Sequence, residues 1–180
     1  PEVDKDITGN DNDVNAVSIG DTIPYTVTTK IPDMTGYTQY FFVVKDTMSE
    51  GLTFNNDVIV TVGGETLTAD EPAVEADAEK GIEAKDAVEH DYYVETSTDV
   101  EGNTLIKIVF HDMVTKRAAD VGETVVINYS AILNENAAID DPNTNTAKVV
   151  YSSDPSVTPE YKDGEVPPDN PPDDPEDPIY

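Results

Sequence analysis

The sequence contains no cysteine and no tryptophan, and only 10 of its 180 residues are lysine or arginine. Without cysteine, no disulfide can stabilise the fold, whatever compartment the protein occupies. The 38 acidic residues leave a formal net charge of −28. A field of that sign repels nucleic acids and anionic membranes, which excludes both as partners. We also find no apolar run that could span a membrane, and no signal peptide or lipidation motif.

What the sequence does contain is a series of short segments in which apolar and polar residues alternate. These segments are rich in valine, threonine and tyrosine, which favour strands, and turn residues separate them. The clearest run over 19–31, 40–46, 105–110, 125–133 and 143–152. About nine short strands with little helix predict an all-β fold, a two-sheet β-sandwich of the immunoglobulin type.

The composition divides the chain into one domain and a tail. Residues 1–162 are predicted to form the sandwich, and the abrupt chain ends lead us to expect a domain of a longer protein. Within it, 69–91 is rich in Ala, Glu, Asp and Lys, and Pro72 and Gly81 could bound a helix. We expect a short, partly helical acidic insertion there. Prolines and acids crowd 163–180, which predicts an extended linker to a following domain.

Three predicted strands each place one polar residue on a face that is otherwise apolar. A buried ammonium costs several kcal/mol in effective terms unless it is paired, deprotonated or chemically changed. An inward lysine therefore predicts partners in the interior, and the other two strands supply candidates. The three residues, each with the apolar neighbours on its face, are Lys5 (Val3, Ile7), Asp46 (Tyr40, Phe42, Val44) and Asn145 (Ala147, Val149, Tyr151).

These three residue types can react with one another in a dry interior. Burial lowers the pKa of a lysine, so that Lys5 becomes available as a neutral nucleophile. Burial raises the pKa of an aspartic acid, so that Asp46 can be protonated and polarise the Asn145 carboxamide. Attack by Lys5 would release ammonia and leave an amide between the two side chains. The pattern predicts a Lys5–Asn145 isopeptide bond with Asp46 as the catalytic group.

The motifs around these residues resemble the isopeptide-forming fimbrial D2-type domain of Gram-positive, sortase-assembled pilins and surface adhesins. In that family a lysine, a strand-end aspartate and the asparagine of Asn-x-Ala form a cross-link, which implies the same roles for Lys5, Asp46 and Asn145. The family pattern Asp-Thr-Leu-Pro-x-Gly-Leu reads Asp-Thr-Met-Ser-Glu-Gly-Leu here. The matching segments are Val-Asp-Lys at 3–5, Gly-Asp-Thr-Ile-Pro-Tyr-Thr-Val-Thr at 20–28, Val-Lys-Asp-Thr-Met-Ser-Glu-Gly-Leu-Thr at 44–53, Gly-Glu-Thr-Val-Val-Ile-Asn-Tyr-Ser-Ala at 122–131, Asn-Thr-Ala at 145–147 and Val-Tyr-Ser-Ser-Asp-Pro at 150–155.

The resemblance implies a CnaA-like sandwich that serves as a structural domain of a backbone or ancillary pilin, or of an adhesin. It implies an extracellular, cell-wall-anchored surface or pilus location. Its partners would be neighbouring domains, other pilin subunits and a ligand on the host surface. We expect no cofactor, no metal and no enzyme activity beyond the single-turnover cross-link. Neither a Tyr-Pro-Lys pilin motif nor a Leu-Pro-x-Thr-Gly sorting signal is present.

Three alternative functions stay open at this point. The domain could be an immunoglobulin-like adhesin module that recognises a host glycan or protein. It could bind calcium, because Asp11-x-Asp13-x-Asn15 opens like an EF-hand loop, although Ala16 and Thr22 replace its glycine and glutamate. It could be a turnover enzyme, but both histidines, at positions 90 and 111, lack a serine or metal-ligand context.

Overall fold

A computed structural model describes residues 1–7, 17–70, 90–137 and 143–152. In this part of the chain there are ten strands, one short helix and one 3₁₀ turn at Ala118–Asp120. None of the described helices is long and apolar enough to cross a membrane. The elements are β1 (Asp4–Ile7), β2 (Thr22–Lys30), β3 (Phe42–Met48), β4 (Leu52–Phe54), β5 (Ile59–Val62), β6 (Glu65–Thr66), β7 (Tyr92–Thr98), β8 (Thr104–Phe110), α1 (Met113–Arg117), β9 (Thr124–Leu133) and β10 (Asn145–Tyr151).

The strands form two antiparallel sheets. The first sheet has the order β1-β2-β9-β5-β6, and β4 also pairs with β9. The second sheet has the order β10-β3-β8-β7. The first and last strands are thus edge strands of different sheets, and they lie in contact with each other along one side of the molecule. The predicted all-β, two-sheet sandwich is confirmed.

The alternation of side chains explains the core between the sheets. In β2, Ile23, Tyr25 and Val27 point inward and are buried, while Pro24 and Thr26 between them are more exposed. In β9 the five inward residues from Val125 to Leu133 are all buried. Each large aliphatic side chain buried in this way stabilises the fold by about 1.5–3 kcal/mol. This packed interior is what can hold a polar group away from water.

Two local features differ from the sequence prediction. The strand expected from Ile19 begins at Thr22, because Ser18–Asp21 forms a turn that Gly20 permits with a φ of 93°. Ile19 is consequently 60% exposed. Helix α1 was not predicted; Asp112 caps it by accepting a hydrogen bond from the Val114 amide at 3.2 Å.

The predicted insertion and the predicted tail lie largely outside the described residues. Of 69–91, only the two ends are described, and they are hydrogen-bonded to each other: the Asp70 amide donates to the Tyr92 carbonyl, and the Asp91 amide donates to the Thr68 carbonyl. The insertion therefore leaves and re-enters the sandwich at one place. The helix expected within it and the linker at 163–180 are not among the described residues.

Candidate cross-linking site

The two sheets bring together the three polar residues singled out in the sequence. Lys5 is in β1, opposite Val27 of the first sheet. Asp46 is in β3 of the second sheet, and Asn145 is the first residue of β10 beside it. The amine thus comes from one sheet, and the carboxyl and carboxamide come from the other.

Lys5 and Asp46 are direct partners. The Lys5 Nζ atom donates a hydrogen bond to Asp46 Oδ2. The side chains are 12% and 1% exposed, so this is a pair inside the sandwich and not at its surface. The ammonium also lies over the rings of Tyr25 and Tyr129, with Nζ 5.1 Å and 5.4 Å from the ring centroids. Such cation–π contacts replace part of the hydration that a lysine loses on burial.

Asn145 joins this pair through Tyr129. The Tyr129 hydroxyl donates to Asp46 Oδ2 at 2.5 Å and accepts a hydrogen bond from Asn145 Nδ2 at 3.5 Å. In the β3–β10 register, Asn145 faces Met48 and Ala147 faces Asp46. Asp46 and Asn145 are therefore diagonal neighbours on the inward face, with Cα atoms about 7–8 Å apart. Their side-chain ends can approach much more closely.

Two oxygen atoms in the site have no hydrogen-bond partner among the described residues. They are Asp46 Oδ1 and Asn145 Oδ1, and both are buried. With Asp46 ionised, both atoms are acceptors, and an unpaired buried acceptor costs about 1–3 kcal/mol. The site is therefore short of hydrogen-bond donors, which favours a protonated Asp46.

Burial brings the pKa values of the lysine and the aspartic acid closer together. Desolvation lowers the pKa of Lys5 to about 8, although the charge of Asp46 and the hydrogen bond to it act in the opposite direction. Desolvation raises the pKa of Asp46, and the Lys5 charge and the hydrogen bonds from Lys5 and Tyr129 offset only part of that rise. The proton shared by the pair can therefore move from Nζ to Oδ2 at a lower cost than in water.

Aromatic rings close the site on the side of the first sheet. Tyr25 stacks on Tyr129 with ring centroids 5.7 Å apart, and Phe54 meets Tyr129 edge-on at 6.1 Å. Tyr25 and Tyr129 are only 6% and 4% exposed, and Met48 is fully buried opposite Asn145. These side chains shield the Lys5–Asp46 pair and Asn145 from water.

Tyr129 is a site residue that the sequence analysis missed. It belongs to the alternating apolar face of β9, where an inward tyrosine looks like ordinary core. Only the strand order identifies it. Strand β9 is central in the first sheet, so its inward side chains face the second sheet, which carries Asp46 and Asn145. That arrangement depends on pairing between distant segments.

The residues behind the alternative functions lie elsewhere. His90 Nδ1 and His111 Nε2 both contact the Asp70 carboxylate, at 2.7 Å and 3.0 Å, at the base of the insertion. Within the described ranges no group of three or more His, Cys, Asp or Glu side chains could hold a metal ion. The segment that resembles an EF-hand loop, 11–16, is outside the described residues.

Comparison with known proteins identifies the family. Residues 19–155 match the family described as Gram-positive pilin backbone subunit 2, Cna-B-like domain. The matched range contains Asp46 and Asn145 but begins after Lys5. The description uses the term Cna-B-like where the sequence resemblance implied CnaA-like, so the sandwich class is confirmed and the subtype is not.

Individual relatives are pilins and an adherence protein, all longer than this chain. The pilus backbone RrgB of Streptococcus pneumoniae is 28% identical, with a TM-score of 0.53 over 83% of this chain and 31% of its own. A backbone pilin of Streptococcus pyogenes is 25% identical, with a TM-score of 0.58 over 83% and 29%. Platelet adherence protein A of Streptococcus gordonii is 37% identical over 68 residues, which are 38% of this chain and 2% of that protein.

The chain thus spans under a third of the solved pilins and a small fraction of the adherence protein. The family match covers most of the sandwich, including both strands of the second sheet that carry site residues. The chain belongs to the Gram-positive pilin backbone subunit 2, Cna-B-like domain family, and it is a structural pilin domain with an immunoglobulin-like sandwich fold.

Proposed function

We propose that this domain forms an intramolecular isopeptide bond between Lys5 Nζ and Asn145 Cγ, promoted by Asp46. The observation that carries the proposal is the buried Lys5–Asp46 pair, to which Tyr129 ties the Asn145 carboxamide. A surface lysine–aspartate pair would contribute little, but this pair joins two sheets in a site closed by aromatic rings. Its residues are those that the reaction needs.

The reaction begins with proton transfer within the buried pair. The proton passes from Lys5 Nζ to Asp46 Oδ2 along the existing hydrogen bond and leaves a neutral amine. The amine nitrogen attacks Asn145 Cγ, and the Nζ–Cγ bond forms. The first proton moves on from Asp46 to Nδ2, the Cγ–Nδ2 bond breaks and ammonia leaves. The Asp46 carboxylate takes the second proton from Nζ, so that a neutral amide remains. No oxidant, metal or cofactor is needed for these steps to balance.

Asp46 serves the reaction in two ways. As a base it removes the proton that makes Lys5 unreactive. Once protonated, it holds the proton that the leaving nitrogen must take up. Both roles depend on the raised pKa that burial gives to Asp46.

Folding itself supplies the largest part of the rate acceleration. Fixing two reactants in an attack geometry is worth about 7–11 kcal/mol, because translational and rotational freedom has been lost before the reaction. The sandwich achieves this by packing β1 against β10. Each chain reacts once and is its own product, so the process is not enzymatic turnover.

The bond would lock the two sheets together at their shared edge. Lys5 and Asn145 lie near opposite ends of the described chain, and closing a loop of more than a hundred residues stabilises a protein by about 5 kcal/mol. Tension applied at the chain ends enters at β1 and leaves after β10. A covalent link between these strands would carry that tension and shield the residues between Lys5 and Asn145.

Membership of the family implies a pilus or surface location and association with other pilin subunits. We assign the domain to a backbone or ancillary pilin, or to an adhesin, that is anchored to the cell wall. Its neighbours would be further domains of the same chain, including one that follows the tail at 163–180. A load-bearing shaft at the cell surface is where a cross-link of this kind is useful.

A ligand-binding role is the second candidate, and one groove favours it. This groove, of about 450 Å³, is open to solvent between β4 and the loop that joins β7 to β8. Its lining combines apolar Leu52 and Phe54 with polar side chains, a combination suited to a host glycan. Binding to a glycan array that Asn56→Ala abolishes would establish this role; an unreactive array would reject it. The polar side chains of the lining are Glu50, Thr53, Asn56, Thr96, Thr104 and Asn134.

The isopeptide proposal is tested by the intact mass of the purified domain. The wild type should be lighter than its sequence mass by one ammonia molecule, and Asn145→Ala should have its full sequence mass. Asn136→Ala, at an exposed position, is the matched control and should still lose ammonia. A wild-type protein with its full sequence mass would refute the proposal.

A further inference from the structure

We propose that Tyr129 is a further catalytic residue of this reaction, whose hydroxyl passes a proton from Asp46 to the departing nitrogen of Asn145. The inference rests on the proposed isopeptide function and adds a group to it. It addresses one step, the release of ammonia, that the lysine and the aspartate alone leave incomplete.

The geometry sets Tyr129 between the two atoms that must exchange a proton. Its hydroxyl oxygen lies 2.5 Å from Asp46 Oδ2 and 3.5 Å from Asn145 Nδ2. Among the hydrogen bonds of the described residues, this hydroxyl is the group that joins the catalytic carboxyl to the leaving nitrogen. It approaches from the first sheet, whereas both groups that it joins belong to the second sheet.

The chemistry requires such a link. Lys5 gives its proton to Asp46 Oδ2, the oxygen that also accepts the hydrogen bond from Tyr129. After attack, the Cγ–Nδ2 bond cannot break readily unless Nδ2 is protonated, because an amide anion is a very poor leaving group. Tyr129 gives its hydroxyl proton to Nδ2 and takes the proton from Asp46 Oδ2 in the same step. The Asp46 carboxylate that results takes the second proton from Nζ as the amide forms, and Tyr129 ends as it began.

The surroundings of Tyr129 suit a relay. Burial raises its pKa well above the ordinary value, and the neighbouring Asp46 charge adds to that rise. A free tyrosinate is therefore not populated, and the phenol transfers one proton only while it receives another. The ring is held by Tyr25 at 5.7 Å and Phe54 at 6.1 Å, which fixes the position of the hydroxyl.

The test compares the rate of cross-linking in Tyr129→Phe with the rate in the wild type. Phenylalanine keeps the ring packing and removes the relay. Full-length chains are pulse-labelled in a translation extract, and the fraction cross-linked is followed by gel mobility and intact mass. We expect a rate about a hundredfold lower, the order that one positioned proton-transfer group contributes. We also expect the residual rate to rise as the pH falls, since solvent must now protonate the leaving nitrogen.

Two controls separate proton transfer from support of the fold. Tyr92 lies in β7, at the edge of the second sheet opposite β10, and its hydroxyl donates to the Val58 carbonyl at 3.2 Å. Tyr92→Phe removes this hydroxyl far from the site and should react at the wild-type rate. Replacing Tyr129 by 4-aminophenylalanine keeps a hydrogen-bond donor to Asp46, but an aniline does not release its proton. This variant should fold even if Tyr129→Phe does not, and it should react about a hundredfold more slowly than the wild type.

The outcomes distinguish the inference from the function on which it rests. A wild type that loses ammonia, together with an aminophenylalanine variant that reacts at the wild-type rate, would overturn the relay and leave the isopeptide proposal intact. The same holds if folded Tyr129→Phe matches Tyr92→Phe in rate and pH profile. A wild type that loses no ammonia would instead remove the isopeptide proposal itself.

Discussion

Replacing Asn145 by alanine should produce a folded domain that is much less stable than the wild type. The substitution removes the electrophile, so the link across more than a hundred residues is lost, at a cost of about 5 kcal/mol. It also removes the hydrogen bond from Asn145 Nδ2 to Tyr129, but at 3.5 Å that contact contributes little. The missing covalent link therefore dominates the expected change.

The loss of stability should be visible in a simple thermal unfolding experiment. For a domain of this size each kcal/mol shifts the midpoint by about 2–4 °C, so a loss of about 5 kcal/mol lowers Tm by roughly 10–20 °C. Circular dichroism of both proteins at one pH and one salt concentration measures this shift. Asn136→Ala, an exposed asparagine of the same type, should leave Tm within about a degree of wild type.

A double-mutant cycle separates the bond from the local packing of Asn145. Lys5→Met abolishes the same bond from the other strand. The double variant should therefore be as stable as the less stable of the two single variants. Two losses that add would mean that each side chain acts by itself. Equal Tm values for the wild type and Asn145→Ala would refute the reasoning directly.

Three further predictions concern the charges and the force path. Asp46→Ala should leave a folded domain that keeps its full sequence mass, because no carboxyl group then takes the Lys5 protons and returns one to the leaving nitrogen; ammonia loss at the wild-type rate, seen by mass spectrometry, would contradict this. In Asn145→Ala, burial still lowers the Lys5 pKa from 10.5 to about 8. Burying the charged lysine therefore reduces the free energy of unfolding by its full amount below pH 8, and this reduction disappears by pH 10.5. The free energy of unfolding of Asn145→Ala, measured with urea, should therefore rise by about 3 kcal/mol between these pH values relative to that of Lys5→Met/Asn145→Ala. Parallel dependences on pH for the two variants would contradict this. When single molecules are stretched by their ends, unfolding should lengthen the Asn145→Ala chain by roughly 480 Å more than the wild-type chain.

The sequence points to the three polar site residues because each breaks a pattern. Lys5, Asp46 and Asn145 stand at inward positions of strands whose other inward residues are apolar, and the structure places all three at one site. Alternation likewise predicts β2 and β9 closely, since side chains on a strand change faces at every residue. Where the signal is local and periodic, sequence reasoning succeeds.

Other features depend on contacts that are distant in the chain. Tyr129 reads as core until the β2–β9 pairing and the facing sheet are known, so its link to Asp46 could not be foreseen. Nor could the placement of β1 and β10 in different sheets, because strand order is set by long-range pairing. The one-turn helix α1 depends on the Asp112 cap and on burial of Met113, and its propensity alone is too weak to predict it.

The central claim is a covalent bond between two named side chains, and tandem mass spectrometry of a proteolytic digest tests it most directly. The account predicts a branched peptide in which the segment that contains Lys5 is joined to the segment that contains Asn145, lighter than the two separate peptides by one ammonia molecule. It also predicts that this branched peptide is absent from Asn145→Ala. Recovery of both segments from the wild type only as separate, unmodified peptides would contradict it.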